Sequence, residues 1–255
     1  APTPPPPPRP PPPSDCDKRQ PQRFRPWHNT GDANGAHNYE VGLWYRAAYF
    51  TKPGETSWRQ SCDREVMYVR NAVGVCDVST LDKIDIKGPD AAKLLDLAHT
   101  NMFSTLKQGR VRYGLMLRED GIAMDDGTAA RFAEDQFVVP TTTANAVGVY
   151  RHMEFVRQCL YPDMDVQLIS TTEAWAQFSV AGPNARRLLH KVVDPEHDIS
   201  NEAFPDMACG DITVANGLRA RLFRISFSGE LAYEIAVPTR YGDAMIRKLV
   251  EAGEE

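Results

Sequence analysis

The sequence predicts an α+β fold of two pseudo-repeated, ferredoxin-like halves, antiparallel sheets with helices on one face, around one central cavity. Three observations predict it. IDIKGPDAAKLL at 84–95 returns ninety-four residues later as FSVAGPNARRLL at 178–189. Each copy is followed by two stretches rich in strand formers, the second ending in an apolar run with proline, FVVP at 137–140 and IAVP at 235–238. A helical pattern then follows both, ANAVGVYRHMEFVRQ and YGDAMIRKLVEA. Matching order and spacing of the neighbouring elements argue against chance recurrence of a short motif.

Taken from the N-terminus, ten of the first 13 residues are proline. Such a run lacks backbone donors and prefers the extended polyproline form, so residues 1–24 are expected to stay outside the fold. A globular domain is expected over 25–255, ending within or just after the second-half helix. CDREVMYVRNAV at 62–73 sets Val66, Val69 and Val73 at helical spacing, with Gly74 as a stop. Lys83–Lys87 alternates charged and apolar residues, as a half-buried strand does. Gly88-Pro89-Asp90 then makes the turn, and in both repeats proline follows the turn glycine, where its missing donor costs nothing.

Composition narrows the function classes. The 255 residues are 42% hydrophobic and 25% charged, ordinary for a soluble globular chain, with a formal net charge of -5 that disfavours nucleic acid and anionic membranes. Five cysteines without a CxxC pair, and six scattered histidines, predict a reducing cytoplasm and no metal site. Dinucleotide, phosphate-loop and GxSxG nucleophile signatures are absent from the sequence.

Two acidic positions are candidates for chemistry. RYGLMLREDGIAMDDGT at 112–128 reads as a hairpin turning at Glu119-Asp120-Gly121. Asp125 and Asp126 then lie in the returning strand, where successive side chains point to opposite faces, so only one can face a given pocket. An inward carboxylate must be hydrogen-bonded, paired or used, whereas solvated or bulge-capping aspartates need no function. Glu234, within the apolar strand YEIAV of the second half, is the internal counterpart. An inward and an outward acid fit that position equally.

These residues carry a family resemblance. GVCDVSTL at 74–81, GPDA at 88–91 and RISFSGELAYEIAVP at 224–238 together resemble the aminomethyltransferase family, which includes the glycine-cleavage T-protein, dimethylglycine and sarcosine dehydrogenases, and the alpha subunit of heterotetrameric sarcosine oxidase. DVSTLDKIDIKGPDA, the 112–128 hairpin, TTTAN and NEAFP are most similar to the sarcosine oxidase alpha type. The resemblance covers residues 26 to 255 and implies a central tetrahydrofolate cavity.

The resemblance implies that Asp126 is the catalytic aspartate near the reactive folate edge and that Asp125 is its structural neighbour. It implies that Glu234 contacts the pterin, that Tyr113 packs on its ring, and that Leu81, Thr128 and Phe227 line the wall. Phe227 stands where many members carry tyrosine. The implied reaction captures a one-carbon unit from oxidation of sarcosine or a related methylamine to give 5,10-methylenetetrahydrofolate. Flavin (FAD or FMN) is expected only in partner domains or subunits of a sarcosine oxidase assembly, and the family's terminal β-barrel is expected to lie outside this sequence. Two alternatives stay open, a T-protein acting on an aminomethyl-lipoyl carrier and a non-catalytic folate-binding or assembly module.

Overall fold

The computed structural model describes residues 23–254, and the proline-rich run at 1–13 lies outside them. The described chain begins with β1 (Arg23–Phe24), α1 (His28–Ala33), β2 (Ala36–Val41), β3 (Trp44–Phe50) and α2 (Trp58–Asn71). Strands β1, β3 and β2 form a small sheet in that order. The fold thus starts before residue 25, because β1 pairs in parallel with Trp44 and Tyr45 and Phe24 stacks on Tyr45.

Helix α2 begins four residues before the expected Cys62. Ser57 accepts from the Gln60 amide while the Gln60 side chain accepts from the Ser57 N–H, a reciprocal cap spelled by S-x-x-Q in the sequence. Its expected apolar stripe docks only in part, for Val69 and Val73 are half-buried and Val73 packs on the second-half core, but Val66 is exposed while Ser61 is fully buried. Polar contacts tie the helix down as well. Ser61 donates to Glu55, and Arg64 donates to both Glu55 and the Phe50 carbonyl at 2.6 Å.

The first half continues with β4 (Gly74–Asp77), β5 (Asp82–Lys87), α3 (Ala91–Ala98), β6 (Arg110–Leu117), β7 (Ala123–Ala133), β8 (Gln136–Thr141), α4 (Ala146–Phe155) and β9 (Gln167–Ser170). The second half contains β10 (Trp175–Ala181), α5 (Ala185–Leu189), β11 (Cys209–Val214), β12 (Leu218–Phe223), β13 (Ala232–Pro238) and α6 (Gly242–Glu254). Both halves therefore fold alike, as a strand, a helix, three antiparallel strands and a helix, one strand more per half than the sequence pattern indicated.

The five-stranded sheets run β6-β7-β8-β5-β9 and β11-β12-β13-β10-β4. Their fifth strands are exchanged. Strand β4 leads into β5 yet pairs with β10, and β9 leads into the second half yet pairs with β5. Neither sheet is complete without the segment that introduces the other, so the halves cannot separate without breaking ladder hydrogen bonds.

Register assigns the faces, since residues two apart on a strand share one. Ile84, Ile86, Phe137 and Val139 turn outward to a core with α3 and α4, while Phe178, Tyr233, Ile235 and Val237 turn outward to a core with α5 and α6. The other two faces meet each other. Val111, Ala130, Val138, Cys209, Phe223 and Ala236 form a small apolar patch between them.

Beside that patch lies an ionic clamp. Arg221 of β12 donates to both carboxylate oxygens of Asp85 on β5 at 3.1 and 3.0 Å, and both side chains are nearly buried. The guanidinium also lies over the rings of Trp175 and Phe132, 4.3 and 5.3 Å from their centroids. Strand β5, expected to be half-buried, is consequently covered on both sides from Asp82 to Ile86: Lys83 and Asp85 face the second sheet rather than water.

The repeated Gly-Pro turns share one backbone requirement. Gly88 and Gly182 have φ of 131° and 132°, and a Cβ would lie 2.4 Å from the Asp165 carbonyl oxygen and 2.5 Å from that of Ala72. No side chain fits there.

Two outcomes are expected in denaturant unfolding. Gly182→Ala lowers stability by about 1–3 kcal/mol through backbone strain. Asp85→Asn, which leaves the Arg221 charge buried without its partner, lowers it by about 3–5 kcal/mol, and Asp85→Asn combined with Arg221→Met costs less than the sum of the single changes.

Candidate functional site

The hairpin between β6 and β7 separates the paired aspartates as strand geometry requires. Gly121, with φ of 81°, sits in the turn, and the Arg118 amide donates to the Ile122 carbonyl at 2.8 Å. Asp125 is buried on the helix side, where it accepts from the Thr142 amide at 3.0 Å and from Asn145 Nδ2 at 3.2 Å. It holds the start of α4 against the sheet.

Asp126 points to the opposite face, the one turned toward the second sheet. Tyr113 lies across from Thr128, and Leu115 across from Asp126, in the same register that places Val111 opposite Ala130 in the inter-sheet patch. The Tyr113 hydroxyl donates to Asp126 Oδ2 at 2.7 Å. That bond to a carboxylate, with lesser desolvation, raises the tyrosine pKa. Asp126 is exposed, Tyr113 is 52% exposed and Thr128 is half-buried, so this part of the face is open to solvent.

On the second sheet the candidate acid is buried. Glu234 sits on the inner face of β13, in a cross-strand row with Ser179 of β10 and Cys76 of β4. Gln177 Nε2 donates to Glu234 Oε2. Burial raises the Glu234 pKa, opposed by that hydrogen bond and by the positive charge of Lys83. The register thus selects the inward reading for this acid.

Lys83 enters from β5 and is 2% exposed. Its ammonium donates to the carbonyls of Ser79 at 3.1 Å and Leu81 at 2.8 Å. Burial lowers its pKa to about 8, against the pull of Glu234, Asp77 and Asp82. Leu81, half-buried, therefore belongs to the cleft through its backbone, which anchors Lys83.

The segment Asp77–Leu81 is built around one carboxylate. Asp77 accepts from the Trp27 indole at 2.6 Å and from the Ser79 amide at 2.8 Å, and the Ser79 hydroxyl accepts from the Gln177 amide at 2.9 Å. These bonds pin the N-terminal part and β4 to β10, beside Glu234.

The structure brings Asp126, Tyr113 and Thr128 together on one inner face, with Glu234 on the other and Leu81 joined to it through Lys83. Phe227 is not part of either wall. It is fully exposed in the loop between β12 and β13, which is tethered to α2 by the Arg70–Glu230 ion pair. Lys83, Gln177 and Arg221 were not singled out from the sequence. Their only signal there is a polar residue alternating with apolar ones in a strand, the same signal a solvent-facing residue gives.

Among the described residues, no three His, Cys, Asp or Glu side chains converge as a metal site, and no helix is long and apolar enough to cross a membrane.

Comparisons with known proteins agree with this architecture. The family model described as the GCVT N-terminal domain matches residues 27–255. Sarcosine oxidase subunit alpha of Rhizobium meliloti (strain 1021) is 51% identical over 237 residues, covering 92% of this chain and 24% of that protein. The aminomethyltransferase of Geobacillus sp. (strain WCH70) is 29% identical over 222 residues, 87% of this chain and 56% of that one. The chain thus spans about a quarter of the length of its sarcosine oxidase relatives. Among solved structures, glycine cleavage system aminomethyltransferase T from Bartonella henselae superposes with a TM-score of 0.75 at 22% identity, over 89% of this chain and 57% of that chain.

The Lys83 environment has a consequence for stability. Its folded-state pKa of about 8 lies below the ordinary 10.5. Between those values the unfolded chain holds a proton that the folded chain has released, so this residue makes stability rise with pH. Relative to Lys83→Met, the wild type is expected to gain on the order of 2–3 kcal/mol from pH 8 to 10.5. Parallel urea titrations of the two proteins over that range check the sign.

Proposed function

The chain belongs to the GCVT N-terminal domain family, and from that premise we propose that it is the tetrahydrofolate-binding, one-carbon-transfer part of a sarcosine oxidase alpha-like protein. The observation that carries this reading is the unfilled acceptor capacity of a buried carboxylate. A carboxylate offers about four acceptor sites, yet among the described residues Gln177 alone donates to Glu234. A ligand edge bearing several N–H groups, such as the amino-pyrimidine edge of a pterin, fits that deficit.

Bound tetrahydrofolate supplies nucleophilic amines that take up a one-carbon unit at the oxidation level of formaldehyde. Glu234 accepts from the pterin N–H groups and fixes the ring in the closed end of the cleft. Asp126, on the facing wall, stabilises positive charge as it develops and handles the amine proton, with the Tyr113 hydroxyl holding one of its oxygens in place. Tyr113 and Thr128 supply a side wall for the ring. Leu81 lines the floor through its backbone, and Phe227, exposed in its loop, is left out of the proposed site. A protein nucleophile is not required, because the carboxylates act through charge and hydrogen bonding.

Under this proposal the one-carbon unit derives from oxidation of sarcosine or a related methylamine, and the flavin that performs the oxidation belongs to domains or subunits outside these 255 residues. The higher identity to sarcosine oxidase alpha subunits than to the aminomethyltransferases supports the sarcosine-type donor over an aminomethyl-lipoyl carrier. The proline-rich residues 1–22 have no role in the proposed chemistry.

Calorimetric titration of the chain with tetrahydrofolate, under anaerobic reducing conditions, tests the binding step. Saturable binding to the wild type that is lost in Glu234→Ala is the expected result. A folded wild type that gives no heat rejects folate binding by this chain. In the active assembly, Asp126→Asn is expected to leave the fold intact and to slow transfer by about 10²–10³-fold, and an unchanged transfer rate removes Asp126 from the mechanism.

A further inference from the structure

Asp125 and Asp126 are neighbours on β7 with the same side chain. Which of them faces the second sheet is decided by strand register, because a slip of one residue exchanges the two faces. The ladder between β6 and β7 contains such a slip. Pairing is regular from Arg110 opposite Arg131 to Met116 opposite Asp125, but the next pair is Leu117 with Ala123, so Met124 has no residue opposite it. Met124 is a β-bulge, an extra residue that leaves the ladder immediately before the two aspartates. Were pairing to run regularly from Leu117 and Ala123, Asp125 would lie opposite Leu115 and take the inner face in place of Asp126.

A bulge needs partners for the polar groups it removes from the ladder. The Met124 carbonyl accepts from Asn145 Nδ2 at 3.1 Å, and the same nitrogen donates to Asp125 Oδ1 at 3.2 Å. Asp125 Oδ2 accepts from the Thr142 amide at 3.0 Å, so both oxygens of the helix-side aspartate are engaged. One side-chain amide thus spans the bulged residue and its neighbour with its two N–H donors.

Asn145 does this instead of the task its position offers. It occupies the N-cap of α4, where an asparagine side chain ordinarily accepts from an amide of the first turn, yet it makes no side-chain cap bond. The turn that carries it is braced on other sides. The Asn145 amide donates to the Thr142 carbonyl at 2.9 Å, and the Thr143 hydroxyl lies 3.3 Å from that of Thr80. The tip of the hairpin between β2 and β3 abuts the same turn, so closely that a Cβ on Gly42 would come within 2.7 Å of the Thr143 carbonyl oxygen.

We propose that Asn145 is a positioning residue for Asp126, locking the bulge at Met124 and so fixing which of the two aspartates faces the second sheet. The proposal rests on the reading of Asp126 as the reacting acid, while the lock itself needs no ligand. Across this same ladder the Tyr113 hydroxyl donates to Asp126 at 2.7 Å. A bulge released from Asn145 is free to migrate or to be absorbed, which displaces the carboxylate that Tyr113 meets. The Tyr113 phenol therefore reports the register, since its bond to Asp126 is the main cause of its raised pKa.

The test is a ¹³C NMR titration of ligand-free protein labelled at the tyrosine ζ carbons. Tyr113→Phe identifies the resonance, and Asp126→Asn gives the curve without the carboxylate. Asn145→Ser keeps a residue that suits the helix start, on a side chain with one donor in place of two. In Asn145→Ser and Asn145→Ala, Tyr113 is expected to titrate at lower pH than in wild type, toward the Asp126→Asn curve. In the active assembly both variants are expected to slow transfer by about 10²-fold with tetrahydrofolate affinity unchanged, a split that general loss of structure does not give. In the wild type alone, the two Asn145 side-chain amide protons are expected to exchange with solvent more slowly than those of the exposed Asn71, a readout that needs no variant to fold. A Tyr113 curve unchanged in folded Asn145→Ser, or Asn145 amide protons that exchange as fast as those of Asn71, overturns the proposal. A Tyr113 response with an unchanged transfer rate leaves the lock in place and removes Asp126 as the reacting acid.

Discussion

The clamp between Arg221 and Asp85 is the contact on which the rest of the molecule depends. Two sheets covered on their outer faces by helices must bring their inner faces together, and those faces carry charged and polar side chains beside the apolar patch. A small apolar patch cannot by itself fix their separation. The bidentate ion pair does so with a rigid planar fork, sandwiched by Trp175 and Phe132. Buried ion pairs often contribute little net stability compared with apolar replacements. Their value here is geometric, because a cleft with functional groups on both walls requires a defined width.

The exchange of β4 and β9 serves the same end. Each strand carries its half's lead-in segment into the other half's sheet, so the walls of the cleft are tied by backbone ladders at one edge and by the ion pair within. The exchange also delivers Asp77, Ser79 and Leu81 to the closed end, where they hold Gln177 and Lys83 beside Glu234. Closure at that end and openness at the Asp126 wall give the two acids different environments. One is buried and held by the Gln177 side chain, and the other is accessible and held by a tyrosine hydroxyl. Such a division suits one carboxylate to gripping a ligand and the other to meeting reacting atoms.

Much of this was legible in the sequence. The Gly-Pro repeat located both sheets and both helix starts, because a φ near +130° against a neighbouring carbonyl admits only glycine, wherever it recurs. The Asp-Gly hairpin was legible for a similar local reason, and with it the rule that Asp125 and Asp126 must part company. The cap Ser57–Gln60 was legible too, in a signature that apolar periodicity at Val66 and Val69 obscured. Phe227 shows the limit of resemblance: its position in the motif named it, but its loop leaves the side chain in solvent.

The sequence by itself determined the local elements, their duplication and the candidate acids, since turns, caps and strand alternation depend on neighbouring residues. Tertiary structure alone decided what covers each polar face. The alternation Lys83-Ile84-Asp85-Ile86 reads identically whether its charged side meets water or a second sheet. It was the approach of β12 and β13, distant in sequence, that turned Asp85 into a clamp and Lys83 into a neighbour of Glu234.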